Sequence, residues 1–157
     1  MIIQTEKGKE ARRLFESGYN CAQSVAGAFA EEMGLPRDTV FSLASPFGGG
    51  MGRMREVCGA VSGMMMVLGM LDGYASPTDL AEKKRVYQTV QELAGQFRSA
   101  NGSIVCHELL GAEGKDTNTA PSERTPQYYK KRPCACYVED AANILAEYLK
   151  QKSHHNL

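Results

Sequence analysis

The sequence predicts an all-α fold, and three observations support that prediction. Apolar residues recur at intervals of three or four along most of the chain, as in Val90, Leu93 and Phe97, which is the spacing of one helix face. The segments with this spacing end at helix-stop residues such as Gly102. No segment alternates apolar and polar residues as a half-buried strand does. We therefore expect residues 1–157 to form a single compact helical domain of about five to seven helices.

Composition narrows the class of protein. The chain has 157 residues, is 43% hydrophobic and has a formal net charge of zero, so it is long enough for a real core and lacks the extended basic surface of a nucleic-acid binder. The N-terminal residues contain no apolar signal segment, and the longest uncharged stretch, residues 57–71, is too short and too rich in glycine to span a bilayer. We expect a cytoplasmic protein with no nucleic-acid partner and no membrane span.

Start and stop signals place the individual helices. Asn20 is a predicted N-cap, Gly34 a predicted helix end, Asp38 and Ser103 further N-caps, and Pro133 the first residue of the last helix. The predicted helices span residues 5–17, 21–33, 39–44, 55–71, 77–98, 104–110 and 133–150. Residues 112–132 are predicted to form a long polar loop with one helical turn near Tyr128, and residues 151–157 a frayed tail.

A glycine-rich stretch precedes the most apolar helix. Gly48, Gly49, Gly50 and Gly52 allow tight turns and close approach of other groups, and Arg53, Arg55 and Cys58 follow them. A thiol about one turn into a helix, beside two cations, is expected to ionise easily. We therefore expect Cys58 to be the most activated thiolate, and the glycines and both arginines to contact a cofactor, a partner or a small anion. Gly59, Ala60 and Gly63 predict a small-residue face against which another helix packs closely.

Four of the five cysteines share one position in the predicted helices. Each lies in a first turn, where unpaired N–H groups and the positive end of the helix dipole favour thiolate; these residues are Cys21, Cys58, Cys106 and Cys134. If the four helix starts converge, these cysteines form one shared site. Cys136 points to another side of its helix and is the predicted spare.

Three kinds of function remain open for such a set of cysteines. One is thiol–disulfide redox chemistry, and a second is electron transfer by a metal ion or iron–sulfur cluster bound to Cys21, Cys58, Cys106 and Cys134. There is no CxxC pair, which disfavours a zinc knuckle, but iron–sulfur clusters need thiolates and no fixed spacing. The third is a helical interaction module whose cysteines are buried in the core.

Four segments carry a resemblance to a known family. They read GYNCAQSV (18–25), FGGGMGRMREVCGAVSG (47–63), GSIVCHELLG (102–111) and CACYVEDAANIL (134–145). In this order they resemble the C_GCAxxG_C_C family, which consists of small bacterial and archaeal redox-active proteins. The resemblance covers most of the chain and implies that Cys21, Cys58 and Cys106 are the family's first three cysteines. It places the fourth at Cys134, two residues before Cys136.

The leading hypothesis combines the residues with this resemblance. Cys58 would attack a disulfide or accept electrons, and one of the other three cysteines would resolve the mixed disulfide. The implied partner is a redox protein or a small thiol or disulfide, and the apolar helix 55–71 leaves room for a homodimer interface.

Overall fold

Helices form nearly all of the regular structure. The computed structural model describes residues 1–156, and within that range it contains nine α-helices and no strand: α1 (Glu6–Glu16), α2 (Cys21–Gly27), α3 (Ala30–Met33), α4 (Arg37–Ala44), α5 (Gly59–Asp72), α6 (Leu80–Asn101), α7 (Cys106–Leu110), α8 (Pro126–Lys131) and α9 (Cys134–His155). The all-α prediction is confirmed. The predicted number of helices was too low because residues 21–33 divide into α2 and α3, and because residues 126–131 form a helix.

Capping interactions explain several helix boundaries. The side chain of Asn20 accepts a hydrogen bond from the backbone N–H of Gln23, and the side chain of Gln23 accepts one from the N–H of Asn20, which is a complete capping box. Gly34 ends α3 with a φ of +68°, as predicted. Asp38 is not the N-cap of α4. The helix begins at Arg37, with Pro36 as its N-cap residue, so Asp38 lies in its first turn.

The start of α5 differs from the prediction. The helix begins at Gly59 and Cys58 is its N-cap residue, so Cys58 is not one turn inside a helix. Met51, Arg53 and Arg55 have φ values of +67°, +65° and +63°. These left-handed conformations are incompatible with a right-handed helix and cost about 1–2 kcal/mol each for residues other than glycine. The glycine-rich stretch is therefore a strained loop that extends to the residues just before Cys58.

Three other helix boundaries differ from the predicted ones. α6 begins at Leu80, three residues after the predicted Pro77. α7 begins at Cys106, and Ser103 accepts a hydrogen bond from the backbone N–H of Val105 at 2.9 Å, ahead of the helix. α9 continues to His155, so the predicted tail is helical over most of its length; Leu157 lies outside the described residues.

The core is built around α2, α5 and α9, with α1 packed along α9. Between α1 and α9 lies Asn143, which is fully buried. Its side-chain oxygen accepts hydrogen bonds of 2.8 Å from both the backbone N–H and the hydroxyl of Thr5. A Cβ added to Gly8 would lie 2.1 Å from that oxygen. The two helices therefore meet where one has no side chain and the other carries a satisfied polar group.

α5 approaches α2 closely along its small-residue face. A Cβ added to Gly63 would lie 2.7 Å from the carbonyl oxygen of Ala22, and one added to Gly59 would lie 3.0 Å from the Cβ of Cys21. No side chain fits at those distances, so the predicted role of these glycines in helix packing is confirmed. The contact brings the start of α5, and Cys58 with it, against the start of α2.

A short backbone pairing joins the glycine-rich loop to the start of α7. Val57 and Val105 form an isolated antiparallel bridge. The N–H of Cys58 donates to the carbonyl of Ile104 at 2.8 Å, and the N–H of Cys106 donates to the carbonyl of Glu56 at 2.6 Å. This pairing sets Cys58 and Cys106 diagonally across the bridge, although they are far apart in sequence.

In the described part of the chain, no helix is both long enough and apolar enough to cross a bilayer.

Two glycines of the loop give a matched test of this packing. Gly50 and Gly52 both have left-handed φ values, +72° and +56°. A Cβ at Gly50 would lie 2.6 Å from the backbone nitrogen of Glu56 and 2.7 Å from the Cβ of Cys106, whereas the nearest atom to a Cβ at Gly52 is 4.0 Å away. We expect Gly50→Ala to lower the free energy of unfolding by about 3 kcal/mol and Gly52→Ala by about 1 kcal/mol. Urea unfolding measures both, and equal losses would contradict the packing described for Gly50.

Candidate functional site

Four cysteines line one cavity of about 610 Å³. They are Cys21, Cys58, Cys106 and Cys134, the four that the sequence grouped together. Cys21, Cys106 and Cys134 are the first residues of α2, α7 and α9, and Cys58 is the N-cap of α5. Four helix N-termini therefore converge on the cavity. Their dipoles favour negative charge there.

Different elements bring the two halves of the cluster together. The Val57–Val105 bridge places Cys58 and Cys106 diagonally across it, whereas Cys21 and Cys134 meet where α2 packs against α9. Cys21 and Cys134 lie close enough for each thiol to shift the pKa of the other. All five cysteines are free thiols in this structure.

The pKa values of Cys21 and Cys134 shift in opposite directions. The neighbouring thiol of Cys21, together with the nearby charges of Arg132, Arg124 and Arg55, holds the pKa of Cys134 below its ordinary value of 9.0 against the effect of burial. The neighbouring sulfur of Cys134 and burial raise the pKa of Cys21 well above 9.0. Cys134 is thus the thiol that ionises first in the pair, and Cys21 remains its proton-bearing neighbour.

The pKa of Cys58 shifts in the direction opposite to the one expected. Only 5% of its surface is exposed, and burial raises its pKa to about 12, a shift that hydrogen bonds from the N–H groups of Ala60 and Val61 offset only in part. Burial also raises the pKa of Cys106, although Arg55 opposes that shift. The expectation that Cys58 is the most acidic thiol is wrong, because neither arginine of the loop donates to it.

The two arginines of the loop are held by the polar stretch 112–132. Arg53 donates to the carbonyl oxygen of Asn118 and, at 3.1 Å, to the hydroxyl of Ser122. Arg55 donates through Nε to the carbonyl oxygen of Asp116 at 2.9 Å and through Nη1 to the sulfur of Cys106 at 3.8 Å. Both arginines line the cavity, but the cysteine that Arg55 contacts is Cys106.

The same stretch supplies two cationic residues that sequence reasoning missed. Arg124 and Arg132 line the cavity, and Arg132 is only 8% exposed. Arg124 donates to the carbonyl oxygens of Phe15 and Tyr19 at 2.9 and 3.0 Å. Nothing in the local pattern of the basic run 130–132 distinguishes the buried Arg132 from its exposed neighbours. Residues 112–132 form a wall of the cavity.

The predicted glycines also border the cavity. Gly48, Gly49, Gly50 and Gly52 all line it. A Cβ at Gly48 would lie 2.6 Å from the side chain of Asn20, the residue that caps α2. The loop therefore lies directly against the helix start that carries Cys21, and its lack of side chains leaves the space open.

Cys136, three histidines and Glu56 lie outside the cavity. Cys136 is exposed and its sulfur is 3.9 Å from Nη1 of Arg12, so its predicted separation from the other four cysteines is confirmed. His107 and Glu56 are exposed and are not among the cavity residues. His154 and His155 are exposed near the end of α9.

Metal binding requires that several ligand side chains lie around one point. Among residues 1–156, no group of three or more histidine, cysteine, aspartate or glutamate side chains is arranged to hold one metal ion. Metal or iron–sulfur binding by Cys21, Cys58, Cys106 and Cys134 stays a prediction from the sequence.

Comparison with known proteins agrees with the order of the cysteine segments. A family model described as "Putative redox-active protein (C_GCAxxG_C_C)" matches residues 19–148, a range that contains all four cavity cysteines, the glycine-rich loop and the polar wall. Neither a curated protein nor a solved structure gave a significant match. With well over half of its length matched, the chain belongs to the C_GCAxxG_C_C family of redox-active proteins.

Proposed function

We propose that the protein performs thiol–disulfide exchange, with Cys134 as the attacking thiolate and Cys21 as the resolving thiol. The observation that carries the proposal is the meeting of two free thiols, Cys21 and Cys134, at the starts of α2 and α9 in a cavity lined by arginines. A nucleophilic thiol needs a depressed pKa and a nearby partner that closes the disulfide. The redox character of the family is consistent with this chemistry.

The exchange balances in two steps. The thiolate of Cys134 attacks one sulfur of a disulfide R–S–S–R; that S–S bond breaks, R–S⁻ leaves, and a mixed disulfide forms on Cys134. Cys21 then attacks the sulfur of Cys134 and gives up its proton to a departing thiolate, so that the second R–S group is released. Two electrons pass from the protein thiols to the small disulfide, and a dithiol reductant reverses the sequence.

Cys134 is preferred to Cys58 as the nucleophile on electrostatic grounds. With a pKa of about 12, Cys58 is almost entirely a neutral thiol near pH 7, and the thiolate is the reactive form. Cys134 begins the 22-residue helix α9 and has Arg132 and Arg124 among the charges that lower its pKa. In this proposal Cys58 and Cys106 line the cavity as neutral thiols.

Single cysteine variants test the assignment. In reduced Cys136→Ser protein under anaerobic conditions, in which the exposed thiol is absent, we expect the added change Cys134→Ser to remove the fast reaction with dithiodipyridine and the intramolecular disulfide that follows it. Cys136→Ser is the matched control, two residues along the same helix but outside the cavity, and should retain both. Stopped-flow absorbance and peptide mapping measure the two outcomes. A Cys134→Ser variant with unchanged kinetics would refute the assignment.

The pH dependence of alkylation provides a second test. Thiolate increases with pH, so the alkylation rate of Cys134 should reach half its maximum below pH 9.0, whereas that of Cys58 should continue to rise toward a pKa of about 12. Mass spectrometry of each cysteine peptide after brief iodoacetamide treatment gives both profiles in one sample. In denaturant the two profiles should coincide, at a midpoint above the native midpoint of Cys134 and below that of Cys58. Faster native alkylation of Cys58 than of Cys134 at pH 7 would contradict the proposed order.

A further inference from the structure

The cavity is strongly cationic although the chain as a whole is neutral. The formal net charge of the chain is zero, yet Arg53, Arg55, Arg124 and Arg132 all line the cavity, and no aspartate or glutamate is among its described lining residues. Burial and the neighbouring charge of Arg55 lower the pKa of Arg53. The arginines therefore repel one another in a partly desolvated space, which favours entry of a negative group.

Two of these arginines have a carboxylate partner and two have none. Arg53 pairs with Asp116 at 3.2 Å, and Arg132 lies 3.7 Å from Glu113. Arg124 is used structurally, because it donates to two backbone carbonyls and stacks over the ring of Phe15 at 4.3 Å. Its hydrogen bonds and ring contact fix it in the wall of the cavity.

Arg55 retains an unused donor. The residue is 3% exposed, and its Nη2 has no hydrogen-bond partner among the described residues. Its other contacts are a neutral carbonyl and the thiol of Cys106. A buried cationic donor with no acceptor is costly, and such groups in native proteins call for a specific explanation. The position of Arg55 in the cavity lining makes a bound anion the direct explanation.

We propose that the cavity binds a small-molecule disulfide whose substituents carry carboxylate groups, and that the free Nη2 of Arg55 donates to one of those carboxylates. This inference rests on the proposed exchange at Cys134 and adds the chemical class of the disulfide. Arginine suits a carboxylate because its planar donors match the two carboxylate oxygens.

The size of the cavity favours a small molecule over a protein partner. Its volume of about 610 Å³ falls within the range of roughly 300–1,000 Å³ found for small-molecule sites. Its apolar and aromatic surfaces include Leu109, Leu110, Tyr128 and Tyr137, which can cover the organic part of a ligand while the arginines bind its charge. The sulfurs and the cationic donors thus border the same cavity.

Two reagents that differ in charge test the inference. Dithiobis(nitrobenzoate) is a two-ring disulfide with a carboxylate on each ring, and dithiodipyridine is a two-ring disulfide without charge at pH 8. Each would be reacted with reduced protein in the Cys136→Ser background, at constant ionic strength, so that the exposed thiol does not contribute. The readout is the ratio of the two rate constants for oxidation of the cavity cysteines.

Arg55→Met should lower the ratio of the anionic to the neutral rate constant about tenfold, the size expected for loss of one charge-assisted hydrogen bond. Loss of the Arg55 charge also raises the pKa of Cys134, but this slows both reagents and cancels in the ratio. Arg98→Met is the control, since Arg98 is exposed on α6, and should leave the ratio within twofold of the parent value. An unchanged ratio in Arg55→Met would overturn the inference.

A competition experiment on the parent protein does not depend on the folding of a variant. Nitrobenzoate should slow the reaction with dithiobis(nitrobenzoate) with a saturable dependence on concentration, and uncharged nitrobenzamide should not. Equal effects of the two compounds would overturn carboxylate binding while leaving the exchange chemistry intact. Failure of both disulfides to oxidise Cys21 and Cys134 would instead refute the proposed function.

Discussion

The close approach of α5 to α2 is the constraint on which the cavity depends. Gly59 and Gly63 have no side chain where α2 passes, and a Cβ at Gly63 would lie 2.7 Å from a backbone oxygen. Because α5 therefore lies directly on α2, the N-cap cysteine of one helix faces the first cysteine of the other. The Val57–Val105 bridge then adds the start of α7, and α9, packed on α2 and α5, adds the fourth helix start. Packing of small residues thus produces a cluster of thiols.

The chemistry of the cavity follows from the balance between helix ends, cations and burial. Helix N-termini and arginines both favour negative charge, yet three of the four cavity thiols have raised pKa values. The neighbouring sulfur of Cys134 and burial raise the pKa of Cys21, and burial raises the pKa values of Cys58 and Cys106. Cys134 differs because the neighbouring thiol of Cys21 adds to the effect of the arginines. One acidic thiol in a cavity of neutral ones is an arrangement suited to directional exchange, since the attacking and resolving roles are assigned by local contacts.

The sequence predicted the grouping of the cysteines far better than their individual properties. Helix periodicity and capping residues located the helices, and the shared position of Cys21, Cys58, Cys106 and Cys134 at helix starts indicated that they meet. The acidity of Cys58 could not be predicted, because its burial and the direction of Arg55 depend on tertiary packing. Arg132 was missed for the same reason: a run of three basic residues does not reveal which member faces inward. Left-handed conformations at Met51, Arg53 and Arg55 prevent α5 from beginning before Gly59. The residue types at these positions do not indicate such conformations.

Trapping the first covalent intermediate tests the central claim most directly. In a variant with both Cys21→Ser and Cys136→Ser the resolving thiol and the exposed thiol are absent, so a mixed disulfide formed with less than one equivalent of dithiodipyridine should persist long enough for peptide mapping. The account predicts that the label is found on Cys134. A label found mainly on Cys58 or Cys106 would contradict it, because the attacking thiolate would then be a residue whose pKa the surrounding structure raises.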